Sequence, residues 1–208
     1  MRSGGKPVTG RFIAVEGADG TGKSTQARLL AERLGAVLTR EPGGTPLGEM
    51  IRSMVLDPDG ERPVDRAEAL LIAAARAQHV AEVVRPALDS GRDVVTDRFI
   101  ESSVAYQGHG RGLGAAEVAE VSAFATDGLV ADLVVVIDVD DDAARDRLGG
   151  VLDRIEQAGD GFRGRVIEAY REMAGSDPDR LVVVDGNGSV EEVADRVAAV
   201  VVDRLAGT

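Results

Sequence analysis

Gly17-Ala18-Asp19-Gly20-Thr21-Gly22-Lys23-Ser24, followed at once by Thr25, is the stretch on which the reading of this chain turns. Its form is G-x-x-x-x-G-K-[ST]. The glycines let successive backbone N–H groups curl round a β-phosphate, and a helix opening at the end of the loop adds the dipole of its N-terminus. In that arrangement Lys23 reaches between the β- and γ-phosphates, and the Ser24 hydroxyl is placed to coordinate Mg²⁺. A Gly-rich turn that merely contains Lys-Ser is the bland alternative, and the flanking sequence argues against it. An apolar run at residues 12–15 precedes the motif; after it, Ala27, Leu30, Ala31 and Leu34 share one helical face, with Gly35 as a stop. Strand, loop and helix in that order make a cradle for a nucleoside triphosphate.

Outward from the cradle, residues 36–39, 93–96, 133–139 and 181–184 form further short runs rich in β-branched residues, as in strands covered on both faces of a parallel sheet. Helical patterns alternate with them. The expected architecture is α/β: a P-loop NTPase fold with about five parallel strands and helices on both faces. Asp65 with Glu68 reads as a capping box ahead of a long Ala/Leu helix that Pro86 should kink or end. Ser189 with Glu192 reads the same way ahead of a last helix whose Val193, Val197, Val200 and Leu205 face the sheet. The glycines at alternate positions in 108–114 suggest a mobile surface loop. Residues 149–164, poor in apolar side chains, suggest a polar flap. The expected organisation is a flexible extension at 1–10 and a single P-loop domain at 11–208, with the flap at about 145–165.

Composition narrows the partners. The chain has 208 residues with 24 Lys+Arg against 36 Asp+Glu, a net charge of −12. Lys6 and Lys23 are its only lysines. So acidic a chain lacks the basic field that nucleic acid or a membrane surface requires. Six aromatics and no Trp leave little for base-stacking platforms. The absence of Cys excludes a disulfide framework and a thiolate zinc site, and fits a reducing, cytoplasmic setting. The first ten residues lack the apolar segment of a signal peptide, and no apolar run is long enough to span a bilayer. Asn187 is the only asparagine, so the N-K-x-D motif that reads guanine cannot occur.

The strand at 93–96 runs into Asp97 and Arg98. An Asp at the carboxyl end of a parallel strand stands at the ligand edge of the sheet, where it can accept from a magnesium-bound water. An adjacent Arg can grip a second phosphate. A helix cap or a local ion pair is the competing reading.

Asp97-Arg98-Phe99-Ile100-Glu101-Ser102-Ser103-Val104-Ala105-Tyr106-Gln107-Gly108 follows the pattern D-R-[FYH]-x-x-S-S-x-A-Y-Q-G. With the P-loop, Arg40-Glu41-Pro42-Gly43-Gly44-Thr45, Ala74-Ala75-Arg76-Ala77-Gln78 and Leu152-Asp153-Arg154-Ile155-Glu156, it makes the chain resemble the thymidylate kinase family over roughly residues 12–184. The resemblance implies ATP-dependent phosphorylation of dTMP to dTDP, with Mg²⁺ accompanying ATP. Phosphoryl transfer through a loose transition state needs positioning and positive charge, and the attacking phosphate oxygen is already ionised, so no general base is required. His79 and His109 are accordingly expected at the surface.

The resemblance also implies residue roles. Lys23, Asp97 and Arg98 belong to the transfer machinery, with Ser24 and, through water, Asp97 toward the metal. Arg98 and Arg52 would clamp the dTMP phosphate. Arg76 would donate to a thymine carbonyl, with Ser103 and Gln107 completing the base contacts. Tyr106 would pack under the deoxyribose and exclude a 2′-hydroxyl, while Asp19 faces the acceptor sugar or the metal shell. For Arg52 and Arg76 a solvated helix face is the alternative. Ala18, Asp19, Gly20 and Thr21 leave no arginine in the variable P-loop positions, so the flap must provide one, as in the bacterial type; Arg147 and Arg154 are the candidates. Two positions depart from the family. Ile72 replaces the Phe that stacks on thymine, a loss of about 0.5–1.5 kcal/mol, with Phe99 as a candidate substitute. Gly149 stands where bacterial relatives often carry an arginine. Relatives form homodimers through helices beside the sheet, which the Ala/Val-rich faces here permit. The competing functions are another (deoxy)nucleotide or deoxynucleoside kinase and a non-catalytic nucleotide-binding module.

Overall fold

Five strands, β1 (Phe12–Glu16), β2 (Val37–Arg40), β3 (Val94–Asp97), β4 (Leu133–Asp138) and β5 (Leu181–Asp185), form one sheet in the order β2-β3-β1-β4-β5. Every neighbouring pair is parallel. This computed structural model describes residues 10–148 and 154–205. Gly149, Leu152 and Asp153 of the flap, and all of the expected N-terminal extension except Gly10, lie outside the described residues.

Alternation along the strands builds two cores. Phe12 and Ala14 of β1 join Val94, Val134 and Val136 on one face, beneath α2 (Pro46–Leu56), α3 (Asp65–His79) and α8 (Asp160–Ser176). Ile13 and Val15 join Val95, Val135 and Ile137 on the other, beneath α1 (Lys23–Leu34) and α9 (Val190–Leu205). Because both faces are covered, all of β1 is buried, and the near-continuous apolar runs expected of doubly covered strands are what the sheet contains.

Ser189 and Glu192 make the expected reciprocal cap: Glu192 N donates to Ser189 Oγ at 3.2 Å, and Ser189 N to Glu192 Oε2 at 2.8 Å. In α9, Val193 and Val197 are buried, and Val200 and Leu205 are half-buried against the same core. The Asp65–Glu68 box does not form. Val64 is the cap residue of α3 without any side-chain cap bond, and the Glu68 carboxylate turns inward to Gln107 and Arg111. Nor does Pro86 end the helical rod. A π-type turn at Val80–Val84 carries the chain from α3 into α4 (Arg85–Asp89), with Arg85 N bonded back to Val80 O. Pro86 then falls in the first turn of α4, directly after the π turn, and the rod continues past it.

The loop expected at 108–114 is irregular only from Arg111 to Gly114; its first residues are helical. After α5 (Ile100–Ser103), residues Val104–Gly110 form another π-type turn, and Gly108 and Gly110 are buried between α6 (Ala115–Thr126) and α8. The flap is likewise more helical than its polarity suggests. The segment 145–165 begins inside α7 (Asp141–Leu148) and ends inside α8. No helix among the described residues is long and apolar enough to cross a membrane.

Candidate active site

The loop after β1 wraps the N-terminus of α1 as the G-x-x-x-x-G-K-[ST] pattern predicts. Gly17, at φ 140°, would set a Cβ 2.5 Å from Ile137 O, so no other residue fits there. Lys23, in the first turn of α1, is buried in the loop, with Nζ 3.2 Å from Asp19 Oδ1 and 3.3 Å from Ala18 O. Burial, and then the neighbouring Arg98, pull its ammonium below the ordinary lysine value.

β3 lies beside β1 with Val15 opposite Asp97, so the Asp97–Arg98 pair emerges next to the P-loop. Arg98 has φ 73°, a left-handed conformation that costs a non-glycine residue about 1–3 kcal/mol. Its N–H to Val15 O at 3.0 Å and the Thr96 hydroxyl to its carbonyl at 2.9 Å hold it there. The conformation aims the guanidinium at four partners: Ser102 Oγ (2.9 Å), Gly17 O (3.3 Å), the Tyr106 hydroxyl (3.0 Å) and the Asp19 carboxylate. Tyr106 completes a triangle by donating to Asp19 Oδ2 at 2.7 Å, with Arg98 lying 4.7 Å over its ring. Burial by itself would raise the Asp19 carboxyl, but Arg98, Lys23 and the Tyr106 hydrogen bond outweigh it and hold the group well below the usual carboxylate range.

Ser24 donates to Asp97 Oδ2 at 2.5 Å, while Asp97 Oδ1 is buried without a hydrogen-bond partner among the described residues. A serine hydroxyl beside an unsatisfied carboxylate oxygen is a donor set suited to a hard divalent cation.

A cleft of about 1270 Å³ runs from the P-loop past Asp97 and Arg98 to Arg52, Ile72, Arg76, Ser103, Tyr106 and Gln107. Arg52 donates to Pro42 O at 3.0 Å. Arg76 has no solvated face: it is 1% exposed. Its Nε donates to Glu41 Oε2 (2.7 Å), its Nη1 to Ser122 Oγ (3.1 Å), and its Nη2 to Phe99 O (2.8 Å) and Ser103 Oγ (3.0 Å). That engages all but one of the guanidinium N–H groups. Phe99 is buried behind Arg76, edge-on to Phe12 at 4.8 Å, and does not border the cleft, so it cannot replace the missing stacking ring.

His79 overturns its expected surface placement. It is fully buried, with Nδ1 2.9 Å from Glu41 Oε1 and Nε2 2.6 Å from Thr39 Oγ1. An imidazole can donate to the carboxylate on one side and accept from the hydroxyl on the other. His109 is half-buried, 4.0 Å from Glu172. The two flap arginines diverge. Arg147 borders the cleft, its Nη1 reaching Thr21 O at 3.5 Å and Gly186 O at 3.3 Å. Arg154 turns away, donating to Glu61 O at 3.3 Å and to Val55 O.

Three buried glutamates were not singled out as site residues in the sequence. Glu41 orients Arg76, Glu68 holds Gln107, and Glu16 holds the start of α5. Glu16 Oε1 accepts from Phe99 N (2.7 Å) and Ser102 N (3.2 Å), and its Oε2 from Ser102 Oγ (2.6 Å) and Tyr170 OH (2.8 Å). The one available signal for Glu16 was a charge closing an otherwise apolar strand just before the P-loop. Burial first, and then the nearby Glu101, push its carboxyl up to about 7. Between the ordinary Glu value and about 7, the folded chain therefore keeps a proton that the unfolded chain has lost. The resulting stabilisation is full below the lower value and disappears as pH rises through the upper one. From pH 5 to pH 8 the unfolding free energy of the parent should fall by about 2.5 kcal/mol more than that of Glu16→Gln. Parallel pH curves for the two proteins would mean that Glu16 ionises in the ordinary range.

The model of the family described as thymidylate kinase matches residues 15–197. A thymidylate kinase of Leifsonia xyli subsp. xyli is 50% identical over 196 residues, covering 90% of this chain and 92% of the relative. One from Exiguobacterium sibiricum is 46% identical over 193 residues, covering 89% and 91%. Among solved structures, the crystal structure of thymidylate kinase from Ehrlichia chaffeensis superposes with a TM-score of 0.78 at 31% identity, covering 93% of this chain and 99% of that one.

Proposed function

The chain belongs to the thymidylate kinase family, and from that membership we propose how its own residues divide the transfer of a phosphoryl group from ATP to dTMP. The reaction it catalyses yields ADP and dTDP. The observation that supports the division of labour is the Asp19–Arg98–Tyr106 triangle, which joins the P-loop to the acceptor half of the cleft.

The backbone of residues 17–22 cradles the ATP phosphates, and Lys23 neutralises charge developing between the β- and γ-groups. Ser24, and Asp97 through water, would hold Mg²⁺. With only one hydroxyl and one carboxylate from the protein, phosphate oxygens and water would provide the remaining ligands. When bound there, such an ion would neutralise phosphate charge.

Arg98 and Arg52 bind the dTMP phosphate, whose ionised oxygen attacks without a base. Asp19 and the Tyr106 hydroxyl line the sugar position, where their mutual hydrogen bond leaves no place for a 2′-hydroxyl. Arg76 offers its remaining N–H, and Ser103 and Gln107 their polar groups, to the base edge. Ile72, buried beside Arg76, gives the thymine face an aliphatic floor. Of the flap arginines, Arg147 assists transfer from its place beside the P-loop, whereas Arg154 must first leave the Val55 and Glu61 carbonyls. A second copy of the chain covers the exposed Met50 and Met54 on α2, Leu70 on α3 and Phe124, 90% exposed, on α6. The acidic surface and Cys-free composition support a cytoplasmic enzyme without nucleic-acid or membrane partners.

Incubation with Mg·ATP and each nucleoside monophosphate in turn, followed by ADP release, tests this reading. dTMP should be turned over in preference to dCMP, AMP and thymidine. Preference for any of these others would reassign the chain to a different kinase, and silence with all of them would make it a non-catalytic nucleotide binder.

A further inference from the structure

Gln107 can turn its amide either way, and the two orientations offer opposite groups to a ligand. With the oxygen facing the cleft it accepts a hydrogen bond; with the NH₂ facing the cleft it donates one. Its neighbour on the protein side settles the choice. Gln107 Nε2 lies 3.0 Å from Glu68 Oε1. That carboxylate is fully buried and pinned by Arg111, whose Nε donates to Oε1 at 3.1 Å and Nη2 to Oε2 at 3.0 Å. A carboxylate clasped by a guanidinium offers only acceptors. The NH₂ of Gln107 must therefore face Glu68, and the oxygen faces away from it. Gln107 Oε1 bonds to no donor among the described residues, and it is not among the side-chain atoms sealed from solvent without a partner. It is an open acceptor at the wall of the cleft.

Arg111 is held in turn by the start of α8. Its guanidinium lies 4.7 Å over the Phe162 ring, which also meets Tyr106 edge-on at 6.0 Å. Gly110 makes room for that ring, since a Cβ there would stand 2.6 Å from it. The clasp on Glu68 is thus built into the fold and does not depend on the ligand.

We infer that Glu68 is a positioning residue for base selection: by fixing the sense of the Gln107 amide, it makes the acceptor site demand a base carrying an N–H at its pairing edge. Resting on the reading of this cleft as the acceptor-base site, the inference adds the cause of its polarity. Arg76 and Gln107 border the same cleft, and a guanidinium donor from the one with the amide oxygen of the other matches a carbonyl next to a ring N–H, the edge of thymine or uracil. Cytosine presents an amino group and a bare ring nitrogen, the reverse pattern, and meets donor with donor and acceptor with acceptor. Sites that oppose a substrate with like groups discriminate strongly, because the buried partners are left unpaired.

The test compares kcat/KM for dTMP and dCMP in the parent, Glu68→Gln, Gln107→Ala and the double variant, with thermal melting of each. Glu68→Gln frees the amide to turn, so the dTMP:dCMP ratio should fall at least about tenfold, carried mainly by KM for dTMP. In the Gln107→Ala background the same change should leave the ratio within about twofold, since Glu68 then has nothing to orient. An unchanged ratio in Glu68→Gln with a parent-like melting curve overturns the inference, as does an equal fall in the ratio with and without Gln107. If Glu68→Gln fails to fold, Arg111→Lys loosens the clasp more gently and should shift the ratio in the same direction; no shift overturns the inference. A parent without preference for dTMP would instead refute the function proposed above, which keeps the two failures distinguishable.

Discussion

Lys23→Ala should lower kcat for dTMP phosphorylation by about 1000-fold or more while shifting the melting temperature by only a few degrees. Lys23 is the P-loop's own ammonium group and is buried where the loop closes on α1. Its three donors are compact, and in a cleft shielded from water a charge aimed at developing negative charge is worth far more than it would be in solution. Neither Arg98 nor Arg147 can take its place, because each is tied by its own contacts. The fold tolerates the change because Asp19, the ion-pair partner of Lys23, keeps both Arg98 and the Tyr106 hydroxyl. Steady-state ADP release at saturating ATP and dTMP, alongside a melting curve, checks both halves; a loss of under tenfold would remove Lys23 from the transfer step.

The second large effect couples activity to stability. Arg98→Ala should abolish measurable turnover, with losses of the order of 1000-fold, and should also destabilise the fold by about 3–5 kcal/mol. The stability loss arises at Asp19, whose half-buried carboxylate loses the strongest of the charges that hold it ionised and keeps Lys23 alone as a charged partner. Ser102 and the Gly17 carbonyl lose a donor as well. The two consequences separate in a double variant. Asp19→Asn together with Arg98→Ala removes the stranded charge and should recover most of the stability, while turnover stays lost. Chemical denaturation and ADP release on the three variants make the comparison. A double variant as unstable as Arg98→Ala would move the cause from the Asp19 charge to the backbone, whose left-handed φ at 98 alanine does not relieve.

Residues close together in sequence, and faces covered on both sides, were read directly. The P-loop and its flanks are local, so their pattern and their fold coincide. The strands were located to within a residue or so because burial on both faces leaves long apolar runs. What escaped was decided by partners far along the chain. Glu68 has the spacing of a helix cap, but a buried carboxylate is drawn to the charge of Arg111, 43 residues away, more strongly than to its own helix end. His79 looked like a polar residue on a helix face until β2 and its following loop closed over it with Thr39 and Glu41. Residues 108–110 read as a loop because glycines at alternate positions usually mark one; here they are small so that α6 and α8 can pass close by. Arg76 borders the cleft, but its nearly complete engagement by Glu41, by Phe99 and Ser103, and by Ser122 depends on three segments far apart in the chain.

The register that sets Val15 against Asp97 has a mechanical consequence. The cradle hangs from β1 and the acceptor clamp from β3, so the two halves of the reaction are separated by a single rung of one parallel ladder, about 4.8 Å between strands. Such a rung is stiff: widening it would mean tearing the sheet at its centre. Donor and acceptor therefore meet across a span fixed by the sheet itself, which the helices around it can neither widen nor narrow.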